Sequence, residues 1–150
     1  MDTETINPFI LAVSEILGQF GLSDVKRTGL SLGGKDIKVT DAGIKLDVSG
    51  DKTGVVGYSM TSAAALKIVS SMMGGAAISA IDDMTKSALS EVASMMSANA
   101  STALSGTGVN LKLSVPAYLD GGSTLTMSAD KSVKVDFDVA GGELSLYITL

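Results

Sequence analysis

The residues with the clearest chemical potential lie on one serine-rich stretch, which carries Glu91 and Ser94 three positions apart. Residues three apart share one face of an α-helix, so this carboxylate and hydroxyl would point the same way. The same face would carry Ser87, Ser90 and Ser97. Serine lowers helix stability because it competes for its own backbone, yet its small size would let another molecule approach closely. A surface that merely tolerates serine would have the same composition.

The chain contains neither cysteine nor histidine. It therefore offers no thiolate nucleophile, no Ser-His-Asp triad and no zinc site of the usual kind. Any catalysis would rely on carboxylate, amide, hydroxyl or amine groups. The sequence shows no pairing of a nucleophile with a base, no glycine-rich phosphate loop and no metal cluster. A small-molecule enzyme is therefore disfavoured, and we expect no metal site.

One long helix, from Ser79 to Gly106, would position Glu91 and the serines. Ser79 and Asp82 have the spacing of a capping box, and Gly106 could adopt the left-handed conformation that ends a helix. Asn99 is rotated about 140° from position 94, so we expect it to be satisfied within the helix packing. Apolar spacings of three and four predict the buried stripe, which comprises Ile81, Met84, Ala88, Leu89, Val92, Met95, Met96, Asn99, Ala100, Ala103 and Leu104.

Two shorter helices and eight strands complete the predicted elements. A first helix would run from Pro8 to Phe20, with Asn7 as N-cap and Gly21 as its stop. A second would run from Thr61 or Ser62 to Met73. Strict alternation of apolar and charged residues, as in Ile44 to Val48, indicates strands with one buried face. The strands are predicted at Val25–Leu32, Ile37–Thr40, Ile44–Val48, Val55–Met60, Asn110–Val115, Thr124–Ser128, Ser132–Val139 and Glu143–Leu150.

The two halves of the sequence resemble each other. Ala12 to Gly18 matches Ala88 to Ser94, Ile44 to Val48 is echoed by Val135 to Val139, and Gly57-Tyr58-Ser59-Met60 is echoed more loosely by Leu146-Tyr147-Ile148-Thr149. A repeat of a helix followed by strands predicts an α+β fold. In this fold an antiparallel sheet carries long helices on one face, and the two Glu-bearing helices lie side by side. We expect one domain spanning 1–150, with halves of about 1–75 and 76–150.

The charge balance favours a protein partner. Eleven basic and sixteen acidic residues give a net charge of −5, which argues against binding nucleic acid or an anionic membrane. The apolar zone from Val55 to Ile81 is interrupted by Lys67, serines and glycines, so no membrane span is expected. The N-terminal residues lack the pattern of a signal peptide. We therefore expect a cytoplasmic protein.

Ser87 is followed by Glu91 four residues later, by Ser94 three after that, and by Pro116 about two dozen residues further on. This pattern resembles the signature of the CheC/CheX/FliY family of chemotaxis phosphatases, and within it the CheX-like members. In that signature the third position is an Asn, so here serine replaces the asparagine. Further similarity lies in Ile6-Asn7-Pro8-Phe9, Val48-Ser49-Gly50, Gly54-Val55-Val56-Gly57, Ala64 to Gly74 and Ser87 to Ala100.

The resemblance implies that this helix docks on a phosphorylated CheY-type receiver domain. It implies that Glu91 contacts a lysine of the receiver and that position 94 orients the water that attacks the aspartyl phosphate. Ser87, Ser90 and Ser97 would line the partner surface. Ser94 is shorter than Asn and offers one rotatable hydroxyl, so we expect weak turnover or none. The protein would need no cofactor of its own, since Mg²⁺ would be held by the receiver. CheX-like members are homodimers, and edge strands favour pairing, so we expect a homodimer.

Three functions remain open from the sequence. The first is a CheX-like phosphatase, weak or redirected, that uses Glu91 and Ser94. The second is a catalytically silent protein that binds receivers. The third is a structural module akin to the flagellar switch relatives. Turnover separates the first two, and phosphorylation-dependent binding separates the last two.

Overall fold

The computed structural model describes residues 2–150 and contains three helices and nine strands within that range. The helices are α1 (Thr3–Gln19), α2 (Ser62–Met72) and α3 (Asp83–Ser105). The strands are β1 (Val25–Gly33), β2 (Asp36–Lys38), β3 (Ala42–Gly50), β4 (Gly54–Met60), β5 (Leu111–Leu113), β6 (Ala117–Asp120), β7 (Thr124–Thr126), β8 (Ser132–Val139) and β9 (Gly142–Thr149).

The main sheet is antiparallel and seven-stranded, with the order β1-β8-β9-β4-β3-β5, and β6 also pairs with β3. The sheet order is symmetric. If each strand of the first half of the chain is replaced by its counterpart in the second half, and the reverse, the same order is read from the opposite edge. In that exchange β1 corresponds to β5 and β6, β3 to β8, and β4 to β9. The remaining strands, β2 and β7, pair with each other. The expected α+β fold, with its two pseudo-symmetric repeats, is confirmed.

All three helices cover one face of this sheet and form the main core with it. The alternation in β3 and β8 points Ile44, Leu46, Val135 and Phe137 into that core. The residues between them are exposed or half-buried, as the alternation predicts. The loose match between Tyr58 and Tyr147 is wrong, since Tyr58 lies in the main core and Tyr147 lies in a second cluster on the opposite face.

That opposite face is partly covered by the ribbon of β2 and β7, a layer that the sequence patterns did not reveal. Its small core contains Ile37 of β2 and Leu125 of β7, packed against Val55 and Tyr147 of the main sheet. Gly57 makes this close approach possible, because a Cβ atom there would lie 2.4 Å from Leu125 Cδ2. The ribbon buries apolar residues that a one-layer arrangement would leave in water.

The first helix begins earlier than the sequence patterns predict. Its N-cap is Asp2, whose carboxylate accepts the Glu4 backbone N–H at 3.0 Å, so Pro8 lies inside the helix. The predicted cap at Asn7 is therefore wrong. Burial of Ile6 and this capping bond outweigh the one backbone hydrogen bond that proline removes. The predicted stop at Gly21, by contrast, is confirmed, with φ of 91°.

The long helix is shorter at its start than predicted. Asp82, rather than Ser79, is the N-cap, because its carboxylate accepts the Thr85 backbone N–H at 2.9 Å. That hydrogen bond also lowers the pKa of Asp82. Gly106 keeps a right-handed conformation, and the left-handed residue is Gly108, with φ of 92°. The positions that carry Glu91 and Ser94 are helical, as expected.

Candidate functional site

The rotation of α3 decides which of its serines reach the surface. The helix buries Thr85, Ala88, Leu89, Val92, Ala93, Met96, Ser97, Ala100 and Leu104. Compared with the predicted stripe, Met84 and Ala103 are exposed, and Met95 and Asn99 are half-buried. The buried stripe of α3 therefore includes Ser97, which the apolar pattern placed on the polar face.

Ser97 is fully buried and therefore cannot touch a partner, so its predicted place in the binding surface is wrong. Its hydroxyl lies 2.9 Å from the hydroxyl of Tyr58, which projects from β4 into the core. Burial raises the pKa of Tyr58. The two hydroxyls satisfy each other, and this bond joins α3 to β4 in the core.

This buried bond makes a testable contribution to stability. Ser97→Ala is expected to lower the free energy of unfolding by about 1–3 kcal/mol, because it leaves the Tyr58 hydroxyl buried without a partner. The double variant Ser97→Ala, Tyr58→Phe removes both polar groups and should recover part of that loss. Urea unfolding of the two variants measures the difference. A double variant less stable than Ser97→Ala would contradict this account.

The surface face of α3, called here the docking face, consists of Ser87, Ser90, Glu91 and Ser94. Ser87 and Glu91 are exposed, while Ser90 and Ser94 are half-buried beside them. Glu91 and Ser94, the predicted catalytic pair, share this face and are separated by one helical turn. Within residues 2–150, Glu91 has no hydrogen bond or ion pair. The structure thus brings together four of the five predicted site residues around an unpartnered carboxylate.

The first turns of α3 are tied to β6, a strand that was not predicted. Lys86 Nζ lies 3.2 Å from Asp120 Oδ1 and 5.4 Å from the centre of the Tyr118 ring. The Asp120 carboxylate raises the pKa of Lys86. Lys86 therefore points toward β6. No local sequence signal connects residues more than thirty positions apart, so this contact could not be predicted.

Pro116 occupies the short segment between β5 and β6. Here the backbone pairing with β3 is interrupted. The Asp47 backbone N–H donates instead to Ser114 Oγ, at 2.8 Å. A proline fits such a gap because no ladder hydrogen bond is required of it. The interruption leaves Val115 highly exposed, at 87%. Pro116 is therefore suited to a structural role between the two strands.

Asn99 is half-buried, and its amide is satisfied where α3 packs against α1, as expected. Its Nδ2 donates to Glu15 Oε2 of α1 at 2.8 Å. The two Glu-bearing helices therefore lie side by side, as expected. This contact also turns Asn99 away from the docking face, so it does not replace the missing amide beside Glu91.

The docking face lies apart from the hollow of about 360 Å³ between α1 and β1, since none of the residues that line this hollow belongs to α3. Within residues 2–150, no three acidic side chains are grouped to hold a metal ion. None of the described helices combines the length and apolarity needed to cross a bilayer. The chemistry available on the docking face is therefore one carboxylate flanked by small hydroxyl groups.

Comparison with solved structures shows the same fold in several chemotaxis proteins. A CheC-like superfamily protein from Shewanella sp. PV-4 has a TM-score of 0.88 at 19% identity, covering 98% of this chain and 97% of that one. A putative chemotaxis protein from Desulfovibrio vulgaris Hildenborough has 0.83 at 24% identity, covering 96% and 94%. CheX in the CheX-CheY-BeF₃-Mg²⁺ complex from Borrelia burgdorferi has 0.76 at 22% identity, covering 99% and 98%.

No curated protein matches the chain. The family model for the chemotaxis phosphatase CheX matches residues 43–138, which include α2, α3 and the whole docking face. This match extends over well more than half of the sequence and agrees with the fold. The chain belongs to the CheX family of chemotaxis phosphatases.

Proposed function

We propose that this protein docks on a phosphorylated CheY-type receiver domain through α3 and hydrolyses its aspartyl phosphate slowly. The observation that carries the proposal is the exposed, unpartnered Glu91 at the centre of the docking face. An isolated carboxylate on a flat surface is suited to an ion pair with a lysine of a partner. The Borrelia complex supports CheY as the kind of partner, and we place the reaction in the cytoplasm.

The small side chains around Glu91 would allow close approach. Ser87 and Ser90 precede it and Ser94 follows it, so no long side chain of this face holds the partner's backbone away. The nearest long cation of the helix, Lys86, is held by Asp120 at 3.2 Å. Because Lys86 is drawn aside, Glu91 stays available to a cation of the receiver.

Hydrolysis would require little covalent chemistry from this chain. The oxygen of a water molecule bonds to phosphorus, the bond between phosphorus and the aspartyl oxygen breaks, and its electrons return to the carboxylate. The water's protons leave with the inorganic phosphate. Mg²⁺ belongs to the receiver, and this protein positions the water and stabilises charge. Ser94 supplies one hydroxyl for that task, whereas an amide would supply a fixed carbonyl oxygen.

Binding of a receiver domain tests the proposal directly. We expect the native chain to bind the phosphorylated receiver more tightly than the unphosphorylated one. Glu91→Gln should weaken that binding about tenfold, because a charge-assisted contact is lost. Titration calorimetry gives both affinities. Glu4→Gln, an exposed carboxylate at the far end of α1, is the matched control and should bind like the native chain.

Two results would contradict the proposed docking, and a third would contradict the proposed hydrolysis. Equal binding of both receiver forms would favour a structural module. An equal loss of affinity for the phosphorylated receiver in the Glu91→Gln and Glu4→Gln chains would show that the effect reflects net charge alone. Phosphorylation-dependent binding without any turnover would favour the silent receiver-binding protein, a reading that the serine at position 94 itself supports.

We further propose a homodimer that forms along β1. This nine-residue strand is an edge of the main sheet, so its outer backbone groups are free to pair with a second strand. Leu30 and Leu32 are 61% and 69% exposed, and they border the hollow between α1 and β1. A second copy would satisfy the backbone and cover these side chains together.

Leu32→Lys is expected to dissociate such a dimer, because it would place a charge in an apolar contact. Loss of one buried leucine side chain corresponds to about 1.5–3 kcal/mol, or roughly tenfold to hundredfold weaker association. Sedimentation equilibrium measures this change. The control is Val115→Lys, which charges an exposed aliphatic residue at the other edge of the sheet. Dissociation by Val115→Lys alone would place the interface there.

A further inference from the structure

The connection between α2 and α3 is apolar, although much of it lies at the surface. Its nine residues from Met73 to Ile81 contain no charged side chain, and Ser79 is the only polar one. Next to α3, Ala80 is exposed and Ile81 is half-buried against the main core. Connections between helices are usually polar, because they run through water. Adjoining apolar residues at a surface are typical of a contact with another protein.

Met84 continues this apolar surface on the first turn of α3. The helix lies wholly within the described residues, and Met84 is its one large hydrophobic residue that is exposed, at 54%. Met84 and Glu91 are seven residues apart and share one face of the helix, separated by about 10 Å along its axis. Ser87 lies between them. We call Ala80, Ile81 and Met84 the apolar shoulder, since together they adjoin the docking face.

The start of α3 holds the apolar shoulder in place. Thr85 is fully buried, and its backbone N–H donates to Asp82 Oδ1 at 2.9 Å. The Thr85 hydroxyl donates to the Ala80 carbonyl oxygen at 3.2 Å. These two bonds attach the end of the connection to the first turn of the helix. A surface with a fixed backbone loses little freedom on binding, while the unbranched Met84 side chain can adapt to a partner.

The charges of the two partners give an apolar contact a purpose. This chain has a net charge of −5, and a phosphoryl group adds negative charge to a receiver. Long-range electrostatics therefore do not favour their encounter. An ion pair at an exposed surface, such as one made by Glu91, contributes only modestly by itself. Burial of apolar surface is the contribution that can supply further affinity.

We propose that the apolar shoulder belongs to the receiver-docking interface, where Met84 packs against an apolar patch of the receiver while Glu91 binds its lysine. This inference rests on the proposed function and identifies the contact that adds affinity to it. Because Met84 is about 10 Å from Glu91 along the helix, it contributes to binding and not to the hydrolysis of the phosphate.

Met84→Gln tests this contact, because it removes the apolar character of the side chain but keeps its length, its charge and a similar helix propensity. The affinity for the phosphorylated receiver is expected to fall about fivefold to tenfold, as burial of a half-exposed methionine implies. Decay of the phosphate in the saturated complex should be unchanged. Met84→Leu keeps the residue apolar and should stay within about twofold of the native affinity. Titration calorimetry measures each affinity.

Met73→Gln is the matched control. Met73 is 42% exposed and lies at the opposite end of the connection, at the C-cap of α2. The control should bind like the native chain. Salt provides a second readout, because the Debye length falls to about 3 Å in roughly 1 M salt. The loss caused by Glu91→Gln should shrink there, whereas the loss caused by Met84→Gln should persist.

The outcomes separate this inference from the proposed function. If Met84→Gln binds the phosphorylated receiver as well as the native chain does, the apolar shoulder is refuted and the proposed function stands. An equal loss in Met73→Gln or in Met84→Leu, or a loss that disappears in high salt, would also refute it. If the native chain does not distinguish the phosphorylated receiver at all, both proposals fail. Equal melting temperatures of the variants and the native chain would show that the losses do not come from misfolding.

Discussion

Ser94→Asn is expected to accelerate hydrolysis of a bound receiver's aspartyl phosphate by about 100- to 1,000-fold. Asn would replace a short hydroxyl with a carbonyl oxygen and an NH₂ group held in a fixed plane. Position 94 already lies one turn from Glu91 on the docking face, so the helix would place the new amide beside the docked phosphate. A well-placed orienting group of this kind contributes through positioning, which the folded helix supplies in advance.

Decay of labelled phosphate on the receiver measures this gain at equal concentrations of each chain. Ser90→Asn is the matched control. It introduces the same amide on the same face, but about 6 Å closer to the N-terminus of the helix than position 94. It should give no acceleration, and its larger side chain on the docking face is expected to weaken docking, which the same titration as above measures. Equal acceleration by both variants would show that any amide on this face suffices. No acceleration by Ser94→Asn would contradict the assignment of position 94.

The sequence predicted those features of the site that depend on local spacing. Glu91 and Ser94 share a face because residues three apart always do on a helix, and the strands β3 and β8 followed from strict alternation. Ser97 could not be placed in this way, since it lies at the border between the polar and apolar faces. Its buried hydroxyl is satisfied by Tyr58, which is 39 positions away on β4. Long-range polar contacts of this kind leave no local pattern.

The missed strand β6 and the unforeseen ribbon layer have a related cause. Strands were predicted near β2 and β7, but these have three residues each and β6 has four, too few to show how they pair. The ribbon's place on the sheet depends on Gly57 admitting Leu125, and β6 is tied to α3 through Asp120 and Lys86. The early start of α1 has a tertiary cause as well, because burial of Ile6 overrides the usual preference of Pro8 for the first turn.

Gly142→Ala is expected to destabilise the fold by about 3 kcal/mol, through overpacking where β9 meets α2. A Cβ atom at Gly142 would lie 2.3 Å from the Ala64 nitrogen and 2.7 Å from its Cα, and backbone atoms cannot move aside as side-chain ends do. The same junction holds the cap of α2, because the Thr61 backbone N–H donates to the Glu143 carbonyl at 3.0 Å. Separating the two backbones would therefore also loosen this cap.

Because α2 packs against α3 as well as β9, the effect should extend to the docking helix. Thermal unfolding measures it, and 3 kcal/mol corresponds to a fall in melting temperature of about 6–12 °C for a chain of this size. Gly34→Ala is the matched control, since a Cβ atom there meets nothing within 4 Å and its φ is not left-handed. It should be neutral or slightly stabilising, because alanine restricts the unfolded chain. Similar melting temperatures for the two variants would mean that β9 and α2 can separate without loss of stability. The tight contact at Gly142 would then not hold α2 in place beside α3.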